Sequence, residues 1–161
     1  MMSFAALLAA HAANAQSYQA LVPLLVDLPQ WKGETAEGMS MQAQGQDMTW
    51  ATRAYKRGDA EINVMVGTGH PMAAQADSIQ QAGKSHIEMS GMVMDTRTVR
   101  NFQVMTMHNK QDKAGMVFVL LSPNNAKGAM LFVQYTGLEP ADAFALAERF
   151  DWTAMQAAAK R

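Results

Sequence analysis

Methionines recur at every second position in three places: Met39 and Met41, Met92 and Met94, and Met105 and Met107, the last pair followed at once by His108. In an extended chain that spacing puts both thioethers of a pair on one side of a strand. Thioethers are soft ligands that select Cu(I), and imidazole binds copper in either oxidation state. Met92, Met94, Met105, Met107 and His108 are therefore a candidate metal set for Cu(I) or Ag(I). His70 and Met72 flank Pro71, and His86 and Met89 lie close together further on. The competing use is packing, because methionine fills irregular cores and suits adaptable apolar surfaces. Met65, Met116 and Met130 sit in apolar runs and read as core.

A second constellation is basic and aromatic. Arg53, Tyr55 and Arg57 alternate along one stretch, with Lys56 pointing the other way. Such a stripe can hold a carboxylate or phosphate, and it can equally be a solvated edge protected by charge. Together with Trp31 these residues form a candidate ligand or partner face. Trp31 alone reads as a lid over the core.

Established catalytic signatures are missing. Gly67-Thr68-Gly69 has neither a third glycine nor a following Lys-Ser/Thr, so it is not a nucleotide loop. There is no Gly-x-Ser-x-Gly elbow and no His-Glu-x-x-His. Asp59 and Glu61 fall at a hairpin tip, where solvation is their expected role. No catalytic or cofactor-binding residue is assigned. A small hydrolytic enzyme would need Asp and His brought together from separate strands.

Composition narrows the classes further. The 161 residues carry 13 Lys+Arg against 14 Asp+Glu, a net charge of −1, which argues against nucleic-acid binding. With no cysteine, disulfides and thiolate chemistry are excluded. An apolar content of 49% places the chain among globular proteins, and its length suits one domain. The apolar stretch from Phe4 to Gln16 contains Ala13-Asn14-Ala15, the small-x-small pattern of a signal-peptide cleavage site. Residues 1–15 thus read as a signal-peptide remnant, placing residues 16–161 in the periplasm or outside the cell. If residues 1–15 are instead an Ala-rich helix, the protein is cytoplasmic. No segment reaches the roughly 20 apolar residues of a membrane span.

The elements that must position these groups follow from periodicity. Leu21, Val22, Leu24, Leu25 and Leu28 predict a short helix or two turns interrupted by Pro23. Strands are expected near 39–44, 48–57 and 60–66, with Arg57-Gly58-Asp59 as a hairpin connection. Pro71 opens a helix over 71–82 that Gly83 ends. Four more strands are expected near 85–94, 97–108, 114–122 and 128–136, with connections at Asp95-Thr96, Asn109 to Lys113, and Ser122 to Asn125. Gly91 reads as a bulge. A carboxy-terminal helix starts near Pro140, and Asp151 caps a last short one. This is α+β: a single antiparallel, curved sheet of about six to seven strands with amino-terminal, middle and carboxy-terminal helices.

Leu24-Leu25-Val26-Asp27-Leu28-Pro29-Gln30-Trp31, the hairpin from Tyr55 to Val64, and the closing Phe150-Asp151-Trp152 give a recognisable layout. It resembles small exported bacterial α+β domains that open with leucine-proline and then glycine-tryptophan. Gln30 stands here where that glycine is usual. The resemblance implies a curved antiparallel sheet packed with helices, broadly of the PsbP/Mog1 type, and it implies no activity.

The functional expectation is a non-enzymatic exported binding module, without a cofactor, that buries a protein partner or small apolar ligand against a methionine-bearing sheet face and the Trp31 region. Homodimerisation through such a face is part of that expectation. The alternative is periplasmic soft-metal handling, with Cu(I) as the bound ion.

Overall fold

A computed structural model describes residues 18–43, 45–122 and 128–160. The proposed signal segment 1–15 and the connection through Pro123 lie outside the described residues. Residues 18–21 are helical and run into a 3₁₀ turn at Val22–Leu24. Pro23 fits there because an early helical position needs no N–H donor.

The strands are β1 (Lys32–Gly33), β2 (Glu37–Ala43), β3 (Gln46–Arg57), β4 (Ala60–Gly69), β5 (Ser85–Met89), β6 (Met92–Val99), β7 (Phe102–Asn109), β8 (Ala114–Ser122) and β9 (Gly128–Thr136). Helix α1 (His70–Ala82) lies between β4 and β5, and α2 (Pro140–Ala147) and α3 (Trp152–Ala159) follow β9. All strand pairs are antiparallel, in the order β1-β3-β4-β9-β8-β7-β6-β5, and β2 also pairs with β3. Helix α1 carries the chain from β4 to the far edge, and the strands then return one by one until β9 closes on β4. The protein is α+β, with one open antiparallel sheet.

Among the described residues nine strands are present where six to seven were expected. One addition is the two-residue β1, paired with β3; the other arises in the stretch from 85 to 108, which forms three strands instead of two. Asp95 and Thr96 do not turn the chain; they sit inside β6, opposite Thr106 and Met105. The reversals are at Ser90-Gly91, with φ 51° and 83°, and at Arg100-Asn101, with φ 51° and 67°. Left-handed pairs of this kind make the tight hairpin turns that match strand twist. Gly91 therefore turns a hairpin and is not a bulge.

One face of the sheet holds the larger core. Val64, Val104, Val117, Val119, Leu131 and Val133 project from the central strands into it. Leu21, Leu25, Leu28 and Trp31 cover one part of this face, while Phe150, Trp152 and Met155 cover another. Burying three leucines contributes roughly 5 kcal/mol or more, so apolar burial is what keeps the amino-terminal strap down. Trp152 Nε1 donates to the Ala147 carbonyl at 2.8 Å, and Asp151 accepts from the Ala154 amide at 2.9 Å. Those two bonds fix the corner between α2 and α3.

The opposite face is only partly covered. Helix α1 lays Ala76 and Ile79 on Met105, Phe118, Leu120 and Met130. Its approach depends on Gly128, where an added Cβ would come within 2.8 Å of the Met72 and Ala73 backbone. At the other end Gln103 Nε2 donates to the Ile79 carbonyl at 2.8 Å. Among the described residues the helix thus sits over the middle of the sheet and leaves both flanks of that face open.

Candidate functional site

Cross-strand register shows where the methionines go. Directly opposed residues of an antiparallel pair lie on the same face. One row across the sheet reads Ile87, Met94, Met107, Met116, Gln134 and Asn63. The next reads Thr96, Met105, Phe118, Phe132, Met65 and Thr52. A third reads Gln103, Leu120, Met130, Gly67, Trp50 and Met39. Met89 opposes Met92, and Met41 opposes Met48, at the margins of the same face. Every methionine that lies in a strand is therefore on the α1 face, and Met72 joins them from the helix. Met155, on α3, belongs to the other core.

These side chains differ in exposure. Met130 is fully buried and Met105 nearly so under α1, while Met94, Met107 and Met116 are half-buried beside the helix. At the β5–β6 edge Met89 is 70% exposed, Ile87 49% and Met92 39%. On β2, Met39 and Met41 are exposed as well. Apolar surface thus flanks α1 on both sides, as Met39, Met41, Met48 and Trp50 on one and Ile87, Met89, Met92 and Met94 on the other.

His108 is not with them. It opposes Val93 and Gly115 and is buried on the larger-core side, its ring stacked on Tyr135 and its Nδ1 3.0 Å from the Tyr135 hydroxyl. Of the candidate metal set, the structure brings Met92, Met94, Met105 and Met107 to one face and places His108 on the other. Alternation alone demands this, since Met107 and His108 are adjacent in one strand. Met116, which the sequence assigns to packing, is the residue that joins Met107 instead. No cluster of three or more His, Cys, Asp or Glu occurs among the described residues. Two buried hydroxyls near the methionines, Ser85 Oγ and Thr96 Oγ1, have no hydrogen-bond partner.

Trp31, Arg53, Tyr55 and Arg57 do come together; Trp31, Arg53 and Tyr55 are turned inward, and Arg57 stays exposed over the Trp31 ring. Tyr55 is fully buried and Trp31 nearly so. Tyr55 Oη donates to the Val26 carbonyl at 2.7 Å. Arg53 donates through Nη1 to the Leu25 carbonyl at 2.7 Å and through Nε to the Glu34 carbonyl at 2.8 Å, and its Nη2 pairs with Asp27. Arg57 lies over the Trp31 ring at 4.6 Å, a cation–π contact. The stripe grips the segment from Leu25 to Glu34. A fixed guanidinium fork suits this task because it can serve several oxygens at once.

A shallow groove of about 330 Å³ opens beside this region, lined in part by Lys56, Glu61, Asn63 and Gln134. Lys56 pairs with Glu61 at 3.4 Å, so the groove's charges are largely mutual. Comparison with protein-family models, with curated proteins and with solved structures finds no match for this chain.

Two outcomes follow from the strap and the buried phenols. Arg53→Met leaves two carbonyls without their donor, and urea unfolding should show a loss of about 2 kcal/mol. Asp27→Asn removes only a partner whose side chain is 90% exposed and should cost less than about 1 kcal/mol; equal losses would mean that the ion pair, and not the carbonyl bonds, secures the strap. Burial pushes the phenols of Tyr55 and Tyr135 up to about 12, opposed at Tyr55 by Arg53 and reinforced at Tyr135 by the Glu139 charge. An unfolded phenol ionises near pH 10, so their stabilisation is complete below pH 10 and is lost as pH rises toward 12. The urea midpoint should fall across that window and fall less in Tyr135→Phe; an identical fall in the variant would refute the assignment.

Proposed function

We propose that this protein is an exported, non-enzymatic binding module that takes an apolar segment of a protein partner on its methionine-bearing sheet face. The observation that carries the reading is the exposed apolar set Ile87, Met89 and Met92, continued inward by Met94, at the open edge of the sheet. Exposed apolar clusters of this kind mark interaction surfaces. Methionine is the residue best able to reshape itself around an occupant. Among the described residues strand β5 has a neighbour on one side only, an edge that suits an added strand.

Two further points support it. The polar groups singled out from the sequence are engaged internally: Arg53 and Tyr55 hold the strap, and His108 is bonded to Tyr135. The Ala13-Asn14-Ala15 sequence supports export. No helix among the described residues is long and apolar enough to cross a membrane.

The test uses protein carrying ¹³C-methyl methionine and the apolar dye anilinonaphthalene sulfonate as probe. Binding to the native fold should shift the Met89 and Met92 methyl resonances and leave Met155 in place. A Met89→Gln/Met92→Gln variant should lose dye binding with its circular dichroism unchanged. Dye binding that survives in the variant, or that moves Met155 equally, contradicts the reading.

A further inference from the structure

Met94, Met107 and Met116 are direct cross-strand partners on three consecutive strands, β6, β7 and β8. Neighbouring strands lie about 4.8 Å apart, and opposed Cβ atoms are about 5 Å apart. The sulfur lies two bonds beyond Cβ on a side chain with three rotatable bonds. The two outer thioethers can therefore lean toward the central Met107 and converge on one point with no change in the backbone.

The surroundings of that point are chemically selective. All three side chains are half-buried and pack against the apolar cluster that α1 covers. The row continues into Ile87 on one side and Gln134 on the other, with no charged residue between them. On the same face, the adjoining rows contribute Met92, Asn109 and Ala114 on one side and Thr96, Met105 and Phe118 on the other. Such a site lacks the oxygen ligands and negative charge that Mg²⁺ or Ca²⁺ requires. Three neutral sulfurs in an apolar setting instead suit a soft monovalent cation.

We propose that Met94, Met107 and Met116 form a trithioether site for one Cu(I) ion. It differs from the set suggested by sequence spacing in two ways: His108 is absent, and Met116 is a ligand. It goes beyond the apolar-partner reading, which rests on the exposed Ile87, Met89 and Met92 and shares only Met94 with this site. A site without histidine has a signature of its own. Thioethers do not titrate, whereas an imidazole ligand is lost on protonation as pH falls toward about 5.

The experiment titrates Cu(I) into the full chain, anaerobically and against a competing chelator, at neutral pH and at about pH 5. The expected result is one equivalent retained at both pH values, with the Met94, Met107 and Met116 methyl resonances shifting together. Met107→Leu, which conserves volume, should abolish retention and leave the fold intact. Met39→Leu/Met41→Leu should leave retention unchanged. No retention by the wild-type chain, retention that survives Met107→Leu, uptake spread evenly over the exposed methionines, or release at the lower pH would each overturn the proposal.

Discussion

The structure rests on the two-sidedness of a single antiparallel sheet. Side chains alternate between faces along each strand, and direct pairing carries that alternation across the sheet. The register is continuous from β2 to β5 apart from one irregularity between Leu120 and Ser122. Each residue's face is therefore fixed by its position in the sequence together with the position of the turns. One face receives valines, leucines and aromatic rings and is closed by the strap and by α2 and α3. The other receives the strand methionines and is closed by α1 only in its middle. A slip of one residue in any strand would send its methionines into the larger core, so register and surface chemistry are specified together.

The closed face is held by two kinds of force with different roles. Leucine burial in the strap supplies most of the free energy, because each buried leucine is worth as much as one or two net hydrogen bonds. The Arg53 and Tyr55 bonds add less but are directional, and they decide where the segment from Leu25 to Glu34 lies. Arg97 over Phe144 at 4.3 Å and Arg100 over Trp152 at 5.5 Å tie the carboxy-terminal helices to the sheet in a similar way. Among the described residues the open face has no such cover at its flanks. That asymmetry is what the proposed binding function uses.

Much of the fold was legible in the sequence because its signals are local. Arg57-Gly58-Asp59 marked the β3–β4 hairpin, Pro71 and Gly83 bracketed α1, and Pro140 and Asp151 marked the last two helices. The stretch from 85 to 108 was harder, because Arg100-Asn101 adopts a left-handed turn without a glycine to announce it. The misplaced turns then hid which methionines share a row. The role of Arg53 was not legible either, since its carbonyl partners belong to residues 19 and 28 positions away. The exclusion of His108 was available from alternation alone. Its place on the far side of the strand from Met107 needs nothing beyond the strand assignment.

The measurement that bears most directly on this account is a methyl–methyl NOE spectrum of the native chain carrying ¹³C-methyl methionine. Continuous register requires cross-peaks from Met94 to Met107 and from Met107 to Met116, with Met89 seeing Met92 and Met41 seeing Met48. Met155 should see none of them. A cross-peak between Met155 and Met107, or the absence of one between Met107 and Met116 in the folded protein, would contradict a sheet that gathers its methionines on a single face.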